Sequence, residues 1–307
     1  MVRSVRDELD LREVRAFLAV VDTGSFLAAA RRLALSQPTV SLQVRRMEVQ
    51  LSAELLTRDR GGCRPTPAGL RLLPHARRLL AAGERAREAL DADRVVLGAS
   101  TNIGVYHLPA LLAGLAAASP ALRIELRIAP HAALLDALAD GLVDLALTEW
   151  WDGRPGFVAR PWHREPLVAI VPSGHPLARA RSVTLERLFA EPLIGGEPGT
   201  GTATLLREAF GKAVTMPPVH HVFGSTEGVK RAVAAGLGVS LVLESSCREE
   251  VARGSLRALR LRDGPLAKTF HAAHPEDDPP SGLAADLLVH LQREGRGAAL
   301  ARGAGSR

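Results

Sequence analysis

The stretch Ser36–Glu48, SQPTVSLQVRRME, sets two arginines beside a thin apolar stripe. Val40, Val44, Met47 and Leu51 are spaced four, three and four apart, so they share one face of a helix. At about 3.6 residues per turn, Pro38, Ser41, Leu42 and Arg45 turn away from that face, with Arg46 on its flank. Ser36 is suited to cap the helix, and Pro38 falls in the first turn, where a missing N–H does little harm. A solvated helix normally mixes acids with bases on its outer side. Here the one acid is Glu48, near the C-terminal end. That outer side is either ordinary solvent-facing surface or a face that meets another molecule.

The flanking residues bear on the choice. Leu11, Val14, Leu18 and Val21 recur at helical spacing and stop at Thr23-Gly24-Ser25. Ser25 caps a second helix, Phe26–Leu33, whose Ala28-Ala29-Ala30 run lets backbones approach closely. Ala34-Leu35 connects it to the helix capped by Ser36. Two helices joined by a tight turn, the second with an exposed polar N-terminal face, describe a helix-turn-helix. The residues from Leu55 to Arg64 read as a small hairpin turning at Gly61-Gly62. They place Arg58, Arg60 and Arg64 for phosphate or minor-groove contact. Between Ser25 and Leu80 ten arginines face Glu48, Glu54 and Asp59, a net +7 in a chain of formal charge +6, so the rest sums to −1. A basic front on a nearly neutral body suits a nucleic-acid-binding module, although surface arginines also serve solubility.

At this point the pattern resembles a known family. Phe17-x-x-Val20-x-x-x-Gly24-Ser25-Phe26, Ala29-Ala30-x-x-Leu33, Ser36-Gln37-Pro38-x-Val40-Ser41 and Arg58-x5-Arg64-x-Thr66-x-Ala68-Gly69 are similar to the N-terminal module of LysR-type transcriptional regulators. Leu42 stands where that pattern usually has a polar residue, Leu56 where it has phenylalanine and Pro65 where it has leucine. The resemblance implies that Gln37, Pro38, Thr39, Ser41 and Arg45 face the major groove. Ser36 and Arg46 border them, and Arg58, Arg60 and Arg64 contact the backbone or form the wing.

Thr66 and Pro67 then begin a long helix. Leu72, Ala76, Leu79, Gly83, Ala86 and Leu90 alternate four and three apart, the rhythm of a pairing seam, with Pro74 inside it. The same pattern fits a helix packed on its own domain. The resemblance favours a dimerisation linker, hence a homodimer or homotetramer on a partly palindromic site.

From Asp93 onward short apolar runs alternate with helical stretches, which argues for α/β architecture. Expected strands are 94–99, 122–128, 144–148, 167–171, 192–194, 219–223, 239–243, 256–261 and 269–273. Expected helices are 105–118, 132–140, 202–210, 227–235 and 282–294. The resemblance implies two lobes like those of a periplasmic solute-binding protein, with crossings near 160–163 and 266–269. The expected fold is an all-α winged helix-turn-helix N-terminal domain plus an α/β two-lobed periplasmic-binding-protein-like effector domain. Its parts are a DNA-binding domain at 9–66, a linker helix at 67–91 and an effector domain at 93–294. Within the last, lobe I takes about 93–160 and 269–294, lobe II about 163–266, and 295–307 forms a flexible tail.

Ligand chemistry is expected where strands give way to helix starts. Ser100, Thr101 and Asn102 follow the first body strand. Thr200, Gly201 and Thr202 precede one helix, Ser225 and Thr226 another, and Thr148 ends a strand. Hydroxyls and free N–H groups at helix starts suit a small carboxylate or other oxyanion; each motif also reads as an ordinary N-cap.

Other chemistry finds little footing. Gly196–Thr202 lacks the lysine of a phosphate-binding loop, and no nucleophile elbow is present. His220 and His221 would point to opposite faces of a strand, and so would any pairing of His271 with His274 in extended chain, so neither metal nor cofactor is expected. Two cysteines, Cys63 and Cys247, are too few for a disulfide framework. Trp150 and Trp151 either line the cleft or fill a lobe boundary, with packing the favoured reading. No apolar run reaches membrane-span length, and residues 1–15 lack the apolar stretch of a secretory signal, so the expected residence is cytoplasmic. The expected function is a transcriptional regulator that binds double-stranded DNA under control of a small effector. The alternative is a small-molecule-binding protein or enzyme with a non-functional basic N-terminal segment.

Overall fold

The computed structural model describes residues 9–59, 62–88, 94–118, 123–196, 199–210, 218–264 and 266–304. They form two units, one of 1–92 with 139–142, the other of 93–138 with 143–307.

The first unit is built by caps that the sequence carries locally. Helix α1, Leu11–Thr23, starts where the Asp10 side chain accepts the Arg12 N–H, and ends at Gly24, whose φ of 66° is left-handed. Helix α2, Phe26–Leu33, is capped by Ser25, and α3, Gln37–Gln50, by Ser36, whose Oγ accepts the Thr39 N–H at 3.3 Å. Val14, Phe17, Val20, Ala29, Val40, Val44 and Met47 are buried together as one core. Leu51, expected on the same stripe, instead caps the helix and is 36% exposed, because the helix ends before it can turn inward. Strands β1, Leu56–Asp59, and β2, Gly62–Pro65, pair antiparallel as the expected wing. Glu48 fixes the wing to α3: its Oε1 accepts the N–H groups of Leu55 and Leu56 at 2.9 and 3.2 Å. Thr66 Oγ1 accepts the Gly69 N–H at 3.0 Å, and α4, Pro67–Glu88, runs on past Pro74. Gly69 is needed at that start, since a Cβ there would collide with the Leu55 carbonyl. Of the expected seam, Ala76 is buried and Leu72 packs on the α1–α3 core, whereas Leu79 is left exposed.

In the second unit, β3 (Arg94–Ala99) is followed by a π-helical turn at Ile103–His107 and by α5 (Leu108–Ala118). Then come β4 (Arg123–Ile128), α6 (His131–Ala139), β5 (Leu145–Thr148) and β6 (Phe157–Pro172). The chain continues through β7 (Ser182–Val183), α7 (Leu185–Phe189), β8 (Ile194–Gly195), α8 (Thr202–Phe210), β9 (His221–Val222) and α9 (Thr226–Ala234). It closes with β10 (Ser240–Leu243), α10 (Arg248–Arg253), β11 (Leu256–Leu261), β12 (Ala267–Pro275) and α11 (Gly282–Ala304). Lobe I is the sheet β4-β3-β5-β12-β6, parallel among β3, β4 and β5. The C-terminal half of β6 belongs to lobe II, where it lies between β10 and β11.

One strand therefore serves both lobes. The expected strand 167–171 is only the lobe II half of β6; the 16-residue element begins at Phe157. Residues 160–163 pair with β12 inside lobe I, and the chain passes between lobes at Pro166–Leu167, opposite Leu266–Ala267. The expected strand 219–223 shortens to β9, and α11 continues past Glu294.

Candidate functional site

Helix α3 presents Ser36, Gln37, Pro38, Arg45 and Arg46 as exposed residues, with Thr39 and Ser41 half-buried. Ser36 and Thr39 share a hydroxyl contact of 2.7 Å, so both are fixed by the cap. Arg45 has no ion pair among the described residues. Leu42 is 50% exposed on this face, where a groove-facing side chain would sit. Arg64 is exposed on β2, and Arg58 lies on β1 opposite Cys63. Arg60 lies outside the described residues.

A cavity of about 570 Å³ occupies the effector unit. Asn102, Thr200, Gly201, Thr202 and Thr226, all expected from the sequence, line it together with Trp150 and Lys268. Ser100 and Thr101 line a small recess that shares Trp150, Gly199 and Thr200 with it. Thr148 and Ser225 are not among the lining residues. Thr148 is fully buried with its Oγ1 unpartnered, and Ser225 caps α9 by accepting the Gly228 N–H at 3.1 Å.

The polar groups of the cavity form one chain of hydrogen bonds. Thr226 Oγ1 donates to Asn102 Oδ1 at 2.7 Å, and Asn102 Nδ2 donates to Glu149 Oε1 at 2.9 Å. Lys268 Nζ donates to Glu149 Oε2 at 2.7 Å and to the Thr200 carbonyl at 2.6 Å. The chain thus runs from lobe II through lobe I and the crossing strand back to lobe II. Trp150 adds a second tie: its Nε1 donates to the Gly199 carbonyl at 2.9 Å, and its ring stacks on His131 at 4.3 Å. Around these groups the wall is aliphatic, with Leu193, Ile194, Val219, Val222 and Leu241 prominent.

The residues 11–70 match the family described as "Bacterial regulatory helix-turn-helix protein, lysR family", and 88–296 match the "LysR substrate binding domain". The chain belongs to the LysR family. Among its relatives is the HTH-type transcriptional regulator CfxR of Cupriavidus necator, 34% identical over 275 residues, covering 87% of this chain and 86% of the relative. Another is the HTH-type transcriptional activator CmpR of Synechocystis, 30% identical and covering 92% and 94%. Full-length OxyR from Pseudomonas aeruginosa has the same fold, with TM-score 0.69, 24% identity and coverage of 94% and 95%. So does full-length CbnR in its target-DNA complex, with TM-score 0.56, 22% identity and coverage of 93% and 99%. This LysR-family chain is a transcriptional regulator with a winged helix-turn-helix and a two-lobed effector-binding domain. Among the described residues, no helix is long and apolar enough to cross a membrane.

The site of this LysR regulator also contains residues that sequence reasoning missed. Lys268, in the cavity wall, and Glu149, in the adjoining recess, are the main ones; Trp150, for which the sequence left cleft lining open, borders both. A signal for Lys268 was present: the chain has three lysines, Lys212, Lys230 and Lys268, among 39 cationic residues. Lys230 and Lys268 are both only 4% exposed. Lys212 lies outside the described residues.

The π-helical turn supplies further ties between lobes. Tyr106 Oη donates to Glu227 Oε1 at 2.6 Å, and His107 Nε2 lies 2.9 Å from Ser245 Oγ. Burial and the Glu227 hydrogen bond push the Tyr106 phenol well above its ordinary range. Burial lowers His107 to about 4, against the opposing pull of the Glu165 carboxylate. Such π turns occur mostly as single-turn insertions, frequently at functional sites. Here the turn brings two consecutive side chains to lobe II.

Proposed function

We propose that this regulator reads double-stranded DNA with the outer face of α3 and grips the backbone with its wing. In this reading Gln37, Pro38, Thr39, Ser41 and Arg45 face the major groove, bordered by Ser36 and Arg46. Arg58, Arg60 and Arg64 meet phosphates or the minor groove. The exposed Arg45, without an ion-pair partner among the described residues, supports it, since an unpaired guanidinium is available for bidentate contact with guanine. The exposed Leu79 on α4 supports pairing of two copies into a homodimer, or two such pairs into a homotetramer.

The effector we assign to the cleft is a small anion with an apolar portion. One observation carries this: a single cavity of about 570 Å³ combines the starts of α8 and α9, at Thr202 and Thr226, with an aliphatic wall from β8, β9 and β10. Helix starts attract anionic head groups, and the wall suits hydrocarbon. Ser100 and Thr101 extend the polar side through the adjoining recess. Lys268 is already neutralised by Glu149, so the anion rests on N–H groups and hydroxyls more than on a free cation. Effector binding changes promoter activity if it favours one arrangement of the lobes over another.

Thermal-shift titration of the full-length chain against carboxylates and phosphorylated acids, with their neutral amides and alcohols as controls, tests this reading. Stabilisation by an acid and not by its neutral analogue is expected. Stabilisation by neutral analogues alone would remove the anionic assignment.

A further inference from the structure

Away from the Asn102–Glu149–Lys268 chain, the lobe crossing holds a second cluster that the cavity does not use. His107 comes from the π-helical turn of lobe I, His163 and Glu165 from β6 just before it passes to lobe II, and Ser245 from the turn after β10. His163 Nε2 lies 2.9 Å from Glu165 Oε2, and His107 Nε2 lies 4.0 Å from the same oxygen. The three ligand atoms all fall within 4.8 Å of one another. We propose that His107, His163 and Glu165 form a binding site for a divalent transition metal of the zinc class, with Ser245 beside its fourth position.

Two imidazoles and one carboxylate are a donor set that zinc accepts. Zinc–ligand bonds of about 2.0–2.1 Å in a tetrahedron place neighbouring donor atoms about 3.3 Å apart. The two separations from the Glu165 oxygen, 2.9 and 4.0 Å, bracket that value, so uptake draws the two ring nitrogens in around it. Those rings are already held in place: Phe270, fully buried, packs against both, at 5.0 Å from His107 and 5.3 Å from His163. The carboxylate is also oriented, because Glu165 Oε1 accepts the Ser245 N–H at 2.8 Å. Outer contacts of this kind set the direction of metal ligands. Ser245 Oγ, 2.9 Å from His107 Nε2, can stand at the open position or hold a water there. Glu165 is 3% exposed, while the histidine side chains keep 15% and 20%, which leaves an entry path for an ion.

The consequence follows from where the ligands originate. His107 belongs to lobe I, the other two to the crossing strand, and Ser245 to lobe II. A bound ion would pin the π-helical turn to the crossing and so bias the lobe arrangement on which the effector acts.

The test uses the full-length chain stripped with EDTA and titrated with Co²⁺ and Zn²⁺ in competition with a chromophoric chelator. We expect one Co²⁺ per chain with the intense visible bands of a tetrahedral site, displaced by Zn²⁺. His107→Ala and Glu165→Gln should each weaken Zn²⁺ binding at least tenfold, whereas His220→Ala, at an exposed histidine, should not. X-ray absorption of the zinc-loaded wild-type chain should show two imidazole nitrogens and a carboxylate oxygen, a readout independent of how the variants fold. Absence of uptake by the wild-type chain overturns the site. So does unchanged uptake in both variants, or a zinc shell without two imidazoles, and the cluster is then a hydrogen-bonded latch only.

Discussion

The Lys268 ammonium and the Glu149 carboxylate meet at 2.7 Å, with 4% and 2% of their side chains exposed. A buried pair of this kind adds little stability over a well-packed apolar pair, but removing one partner leaves a lone charge away from water. Lys268→Ala should therefore cost about 3–5 kcal/mol of stability. Lys268→Met combined with Glu149→Gln, which removes both charges but keeps an acceptor for Asn102 Nδ2, should recover much of that loss. Urea unfolding of the two variants beside the parent chain checks both, and a double variant no more stable than the single one would count against the pairing.

Arg45 is exposed on α3, so its removal should leave the fold intact. Arg45→Ala should weaken binding to the preferred operator by about 1–3 kcal/mol if it reads a base. Arg64→Ala should weaken all sequences alike and reduce the salt dependence of binding by roughly one unit of slope. Gel-shift titrations at several salt concentrations separate the two. An unchanged sequence preference in Arg45→Ala would assign it to the backbone instead.

Gly201 combines a φ of 75° with a Cβ position only 2.7 Å from the Trp150 ring. Gly201→Ala should displace Trp150 and strain the loop by on the order of 1–3 kcal/mol. Effector binding should fall at least tenfold while DNA binding by the separate N-terminal unit persists. Calorimetric titration and gel shifts on the same preparation report the two properties.

Burial raises the Glu227 carboxyl, but hydrogen bonds from Lys230 and Tyr106 outweigh it and hold the group below its ordinary range. A carboxylate held low in the folded state contributes stability that is complete above that ordinary range and is lost as pH falls through the lowered value. Tyr106→Phe removes one donor and moves the folded-state value back toward the ordinary range, so the acid-side loss should be smaller and complete at a higher pH than in the parent. Stability profiles from pH 7 (roughly neutral) downward reveal the shift, and superimposable acid limbs would rule the bond out as a contributor.

Local order was legible in the chain and distant contact was not. The caps Ser25, Ser36 and Thr66 each lie within three residues of the N–H they accept, so a hydroxyl at the right place predicted a helix start. The helix Thr202–Phe210 falls where its periodicity put it, for the same reason. The same locality set the first of the two lobe crossings at 160–163 instead of Pro166–Leu167, because the pattern of β6 is continuous and only its pairing with β12 before the crossing and with β10 and β11 after it divides it.

The site divides along the same line. Polar side chains at helix starts pointed to Asn102, Thr200, Thr202 and Thr226, which line the cavity, since a loop motif and its helix are neighbours in the chain. Glu149 and Lys268 are 119 residues apart, and His107 and Ser245 are 138 apart. No short window contains either pair. The sequence by itself determined the winged helix-turn-helix, the α/β body and the helix starts that border the cavity, because spacing and capping act within a few residues. Only the tertiary structure decided which charges are buried together and which residues tie one lobe to the other, because strand pairing across more than a hundred residues sets those distances.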